Sequence, residues 1–192
     1  MTPGLKVLVE QNNYSYEYVS SKLTTFRRSI SKGVNDPTVV YQLLLSFLDE
    51  NMQKDMQAIS CKKGCSFCCR QNVSITYVEA NVIIDHCILN NIAINFDTLE
   101  QQLSVEPMQL ATRFDFNTCV FLKNNECSIY EVRPLVCRTH NSVVDPIYCN
   151  VRFFPKIKLG TALSESTEFA ISSVLTIFGK FKRMPEWLIE LS

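Results

Sequence analysis

The chain of 192 residues carries nine cysteines, and eight of them fall into two groups. Cys61, Cys65, Cys68 and Cys69 crowd into one short run, Cys61-Lys-Lys-Gly-Cys65-Ser-Phe-Cys68-Cys69. Cys119, Cys127, Cys137 and Cys149 follow downstream, and only Cys87 stands apart. Thiolates two to four residues apart on a loop can meet at one cation, and Gly64 permits the bend that such convergence needs. Packing alone seldom calls for four cysteines in so short a run. All eight, from Cys61 to Cys149, are therefore candidate metal ligands. Neighbouring side chains diverge in most backbone conformations, so adjacent Cys68 and Cys69 are expected to serve two ions or a cluster. Eight sulfurs exceed the four that a tetrahedral zinc or an iron-sulfur cubane takes. The second group is too widely spaced for one local knuckle, which predicts a site stapled from segments about 50 residues apart, with metal binding helping to close the loop between them.

The surroundings refine that expectation. His140 stands at C-x2-H spacing from Cys137 and adds an imidazole, although a lone histidine is more often solvated or hydrogen-bonded than a ligand. His86 is expected to face solvent and Cys87 to face the core. Lys62, Lys63, Arg70, Lys123, Arg133, Arg138 and Arg152 accompany the cysteines. Their charges would offset clustered thiolates and lower thiol pKa values, and Arg138, directly after Cys137, is well placed to support the ligands. The competing expectation is an ordinary solvated surface in which Arg133 and Arg138 make ion pairs.

Composition narrows the function classes. Hydrophobic residues make up 46% and charged residues 20%, with 19 basic and 19 acidic side chains, so the chain has neither the makeup of a disordered segment nor the cationic excess of a polyanion binder. No nucleic-acid partner is expected. Five glycines and no Gly-rich loop exclude a P-loop or dinucleotide fingerprint. No apolar run approaches the ~18 residues of a membrane span, and Met1 to Glu10 lacks the basic-then-apolar pattern of a leader. A cytoplasmic protein without membrane association is expected, whose reduced thiols serve metal or chemistry rather than disulfides. Two histidines without nearby serine or carboxylate motifs show no triad or zinc-protease pattern.

The elements that must position these thiols read mostly as helices. Tyr16, Val19, Leu23, Phe26 and Ile30 share one helical face up to Gly33. Asp36-Pro37 opens a second helix with inward Val40, Leu43, Leu44, Phe47, Leu48, Met52 and Met56. Thr76 with Glu79 forms a capping box before Val78, Val82, Ile83, Cys87 and Ile88; Asp97 with Glu100 forms another before Leu99 and Leu103, in a helix interrupted at Pro107. Cys119-Val-Phe-Leu and Cys127-Ser-Ile-Tyr flank Lys123-Asn-Asn-Glu, which predicts a short hairpin, followed by a helical turn near Tyr130 to Pro134. Helical spacing returns at Phe169, Ser173, Leu175, Ile177 and Phe178, and Pro185 opens a last helix through Trp187 and Leu188. The expected fold is mainly α: a small single domain over 1–192 with a short β-hairpin at a cysteine-rich metal-binding centre. Residues 61–140 form that centre and 1–60 and 150–192 the helical flanks.

The same residues resemble the CxxCxxCC family of zinc- or iron-chelating domains, also called YkgJ-like cysteine cluster proteins. The resemblance is carried by the Cys61–Cys69 run, Thr76 to Glu79, Cys119-Val-Phe-Leu and Cys127-Ser-Ile-Tyr130-Glu-Val-Arg133-Pro134-Leu-Val-Cys137-Arg138, over roughly residues 61–140. It implies metal binding by Cys61, Cys65, Cys68, Cys69, Cys119, Cys127 and Cys137. It departs at Arg138-Thr-His140, where Phe-Pro is expected, and so does not extend to His140 or Cys149. Relatives include a flagellin lysine N-methylase group, which makes an enzyme conceivable.

Three functions compete. The first is chelation of zinc or iron, including an iron-sulfur cluster, by the clustered thiolates, with a metal ion as the partner. The second is an iron-sulfur enzyme, for instance an S-adenosylmethionine-dependent protein methyltransferase. Cys61-x3-Cys65-x2-Cys68 with Phe67 has the spacing of radical enzymes of that kind, but the flanks read as helices, not as a β/α barrel. The third is an adaptor with a purely structural zinc. A disulfide-redox role is weaker, because no βαβ pattern surrounds the thiols. Zinc and iron-sulfur both suit cysteine at these spacings.

Overall fold

The computed structural model describes residues 36–55, 59–105, 118–150 and 178–192, together with Glu17, Ser21, Thr24 and Val174 as isolated helical positions. Helix α1, Pro37–Asp55, begins where Asp36 accepts a hydrogen bond from the Thr38 amide at 2.8 Å and proline occupies the first turn. Its buried stripe is Tyr41, Leu44, Leu45 and Leu48, spaced so that all four share one face. Leu43, expected inside, is exposed. Tyr41 and Leu45 set the direction of the inner face, and Leu43 lies on the other side of the cylinder.

Strand β1, Ser74–Thr76, leads directly into helix α2, Tyr77–Leu89, through the expected capping box. Thr76 Oγ1 accepts from the Glu79 amide at 3.3 Å, and Glu79 accepts from the Thr76 amide at 2.8 Å. Val78, Val82, Ile83 and Cys87 point inward as expected; Ile88 does not, and is 70% exposed one residue before the helix ends. Helix α3, Phe96–Ser104, starts earlier than the Asp97-Glu100 pattern suggested. Asn95 is the cap, accepting from the Thr98 amide at 3.0 Å, while Asp97 sits in the first turn, where the helix dipole favours it. Leu99 is fully buried.

The hairpin forms where the turn chemistry placed it, between β2, Leu122–Lys123, and β3, Glu126–Cys127. Asn124 and Asn125 both adopt positive φ, 51° and 63°, as a two-residue turn matched to strand twist requires. A 3-10 turn at Tyr130–Val132 and the short helix α4, Leu135–Thr139, follow, then a second 3-10 turn at Pro146–Cys149. The last helix, α5, Met184–Leu191, has Pro185 in its first turn and buries Trp187 and Leu188.

One strand pair was not legible in the sequence. β4, Phe181–Arg183, runs antiparallel to β1, pairing Ser74 with Arg183, Ile75 with Lys182 and Thr76 with Phe181. Three residues cannot display a period of two, and the partner lies over a hundred residues away. The Trp187 indole secures the pair by donating to the Ile75 carbonyl at 3.0 Å.

The fold is thus mainly α, and its core has two lobes that share α2. Tyr41, Leu44, Leu45 and Leu48 pack with Val78, Val82, Leu135 and Val174 on one side. Ile75, Ile83, Cys87, Leu99, Phe121, Ile129, Trp187 and Leu188 pack on the other. Each such side chain contributes roughly 1.5–3 kcal/mol by leaving water. The helix expected over Tyr16–Ile30, the apolar positions Met52 and Met56, the break at Pro107 and the face through Phe169, Ser173, Leu175 and Ile177 fall outside the described side chains.

Candidate metal centre

The first cysteine run is a turn followed by a 3-10 helix. Gly64 adopts φ 90°, a left-handed conformation that favours glycine, and the turn closes with the Cys65 amide donating to the Lys62 carbonyl at 3.0 Å. Phe67–Arg70 then winds into a 3-10 turn, with the Cys69 amide donating to Ser66 O at 3.1 Å. Two crossings tie this run to the second group. The Cys119 amide donates to the Cys69 carbonyl at 2.8 Å, reinforced by Arg70 Nη1 donating to Thr118 Oγ1 at 2.9 Å. At the other end, the Ser60 amide donates to Ser142 O at 2.7 Å, and the Ser142 amide donates to the Cys61 sulfur at 3.2 Å.

These crossings place Cys61, Cys65, Cys68, Cys69, Cys119, Cys127 and Cys137 on the wall of one cavity of about 380 Å³. His140 lines it too. Cys149 is buried and lies outside that wall, while Cys87 packs in the core as expected. Adjacent Cys68 and Cys69, both on the 3-10 turn, line the same cavity. His86, expected in solvent, is instead half-buried beside Glu131, with Nε2 3.9 Å from its carboxylate.

The cavity's electrostatics suit protonated thiols in the metal-free chain. The hydrogen bond from Cys69 and then burial raise the Cys68 pKa far above the usual thiol range; burial does the same to Cys137. Burial also raises Cys119, to about 11, and raises Cys65, Cys127 and Cys149. The His140 pKa is lowered by burial, which favours the neutral imidazole.

The basic residues divide. Lys62, Lys63 and Arg133 line the cavity, and among the described residues that line it none is Asp or Glu. Arg133 is held there with its guanidinium carbon 3.9 Å from the Tyr130 ring centre and Nη1 donating to Tyr130 O at 2.9 Å. Lys63 approaches the same ring at 5.7 Å. Arg138 turns away from the thiols, contrary to the supporting role expected of it. It is buried, bonding Asp49 at 2.5 Å and the Glu131 carbonyl at 2.6 Å, with Nε unpartnered. That ion pair is the alternative the sequence left open. Arg152 lies outside the described residues.

Glu79 does more than cap α2. Its buried carboxylate also accepts from Tyr41 Oη at 3.2 Å and from the Leu135 amide at 2.8 Å, so it fixes the start of the helix that carries Cys137. Capping alone was legible, because the other two partners lie 38 and 56 residues away.

The donor set, seven thiols on one wall with cations and no carboxylates, fits a thiophilic cation such as zinc or iron. Among the described residues, no three His, Cys, Asp or Glu side chains are drawn together to metal-ligand geometry.

The family model CxxCxxCC, described as a "putative zinc- or iron-chelating domain", matches residues 60–159, just over half of the chain. The chain belongs to this family. The match runs beyond the pattern ending near residue 140 and takes in Cys149. No curated protein and no solved structure gives a significant match. Among the described residues, no helix is long and apolar enough to cross a membrane.

Proposed function

We propose that this protein chelates zinc or iron through thiolates drawn from Cys61, Cys65, Cys68, Cys69, Cys119, Cys127, Cys137 and Cys149, in a reducing, cytoplasmic setting. The observation that carries the reading is that two segments about 50 residues apart bring seven thiols to one cavity. Bound metal would supply the positive charge that lets buried thiols ionise, and would clamp the two segments together. Lys62, Lys63 and Arg133 offset the thiolate charge. Glu79 holds α4 where Cys137 can reach the cavity.

The test is elemental analysis with a visible spectrum on full-length protein purified without oxygen from cells supplied with both metals. Zinc in a colourless solution supports chelation. Iron with acid-labile sulfide and a brown colour identifies an iron-sulfur form and turns attention to electron transfer or catalysis. The double variant Cys65→Ser/Cys68→Ser should retain far less metal than the wild type; an unchanged stoichiometry would sink the assignment.

A further inference from the structure

Seven of the eight clustered thiols form two sets of mutual neighbours. In the first, Cys68, Cys119, Cys127 and Cys137 each lie within electrostatic reach of the other three. The scaffold explains this grouping. The 3-10 turn bearing Cys68 is bonded to the Cys119 amide, Leu122 N donates back to Cys119 O, and Cys127 pairs with Leu122 across the hairpin. Cys137 joins through α4, whose first turn Glu79 anchors.

The second set is Cys61, Cys65 and Cys149, again each within reach of the others. Ser142 connects them. Its amide donates to the Cys61 sulfur and its hydroxyl to the Val144 carbonyl at 3.0 Å, which fixes the loop leading to the Cys149 turn. The Cys61 thiol donates to the His140 carbonyl at 4.0 Å, and the Lys62–Cys65 turn carries Cys65 beside it. The turn carrying Cys149 packs against the turn carrying Cys68, so the two sets meet through Cys68.

We propose that the centre is two metal sites: a four-thiolate site of Cys68, Cys119, Cys127 and Cys137, and a second of Cys61, Cys65 and Cys149 with the His140 imidazole as fourth donor. The proposal rests on the chelation reading and specifies its ligand sets. Each set has the donor count of a closed tetrahedral site. Charge agrees as well. A divalent ion on four thiolates carries two net negative charges, and one on three thiolates and a neutral imidazole carries one. The three cations on the cavity wall, Lys62, Lys63 and Arg133, match that total, and none of the described lining residues is Asp or Glu. Cys69, next to Cys68 on the same 3-10 turn, stays outside both sets.

The test titrates metal-free, reduced full-length protein with cobalt(II), following the thiolate charge-transfer bands, and counts the zinc that each chain then retains. Two break points and two zinc ions per wild-type chain are expected. Cys127→Ala/Cys137→Ala and Cys61→Ala/Cys149→Ala should each retain one, with different cobalt spectra, and the Cys87→Ala control should retain both. One zinc and one break point in the wild type, or loss of all metal from either double variant while its helical circular dichroism persists, would overturn the partition. A variant that does not fold leaves the wild-type break points to decide. Wild type that binds neither cobalt nor zinc refutes chelation itself, a failure distinct from a single site.

Discussion

Two buried polar regions, the Glu79 knot and the thiol cavity, stand a few residues apart in the fold and are built on opposite terms. At Glu79 the carboxylate is almost wholly buried, yet it accepts from the Thr76 amide and hydroxyl, the Tyr41 hydroxyl and the Leu135 amide. Its bonds are complete within the chain, which is how a buried polar group becomes rigid. In the cavity the thiols are partly buried, burial outweighs the amide donors that Cys65, Cys119 and Cys127 have, and three cations line the wall with no Asp or Glu among the described lining residues. The knot is finished by folding, whereas the cavity still needs a ligand. A region of the first kind can hold helices in register, and a region of the second kind can respond to a cation.

The largest effect that should sharpen this contrast comes from the knot. Glu79→Ala removes one side of the capping box and strands the Tyr41 hydroxyl and the Leu135 amide, each costing roughly 1–3 kcal/mol when left unpaired. Urea unfolding should show a loss of about 3 kcal/mol or more. Glu79→Gln, which keeps one acceptor, should recover part of it. If the alanine variant unfolds at the wild-type midpoint, the knot is not what holds α1, α2 and α4 together.

A smaller effect separates the metal-free cavity from its loaded form through pH. Burial raises the Cys119 pKa to about 11, above the ordinary thiol value of 9. A folded-state pKa raised in this way means that the unfolded chain loses its proton first. Stability is therefore full below pH 9 and falls as pH rises toward 11. Urea midpoints of the metal-free protein at pH 8 and 10.5 should show this decline. The metal-loaded protein should lack it, because its ligands are already thiolates. A flat profile in the metal-free protein would mean that the cavity is wetter than its geometry implies.

The smallest expected change is at Arg133. Arg133→Gln removes a cation from the wall while leaving the thiols, so zinc affinity measured by chelator competition should fall several-fold, and by less at high salt, where charge is screened. Equal affinity would assign the Arg133 guanidinium to its contacts with Tyr130 alone.

How much of this was legible in advance follows from the range of each interaction. The α2 cap, the Asn124-Asn125 turn and the opening of α5 at Pro185 depend on residues within a few positions of one another, and all three formed where local chemistry placed them. The α3 start lies two residues before the expected one because Asn95 and Asp97 are both good caps, and it is Asn95 that accepts from the Thr98 amide. Ile88 and Leu43 have the right side chains on the wrong faces, since periodicity defines a stripe but not its edges.

The sequence by itself determined the donor chemistry. Clustered cysteines on short loops, with two histidines in the whole chain, point to a thiolate metal centre whatever the fold. Only the tertiary structure decided which thiols are neighbours. Cys61 sits beside the segment leading to Cys149 because the Ser142 amide bonds its sulfur; Cys68 meets Cys119 because a backbone bond crosses from residue 69. It also turned Arg138 toward Asp49 and recruited Glu79 to the start of α4. Residue type and local spacing set what a group can bind, but its neighbours across 50 or more residues are selected by the packing that closes the intervening chain.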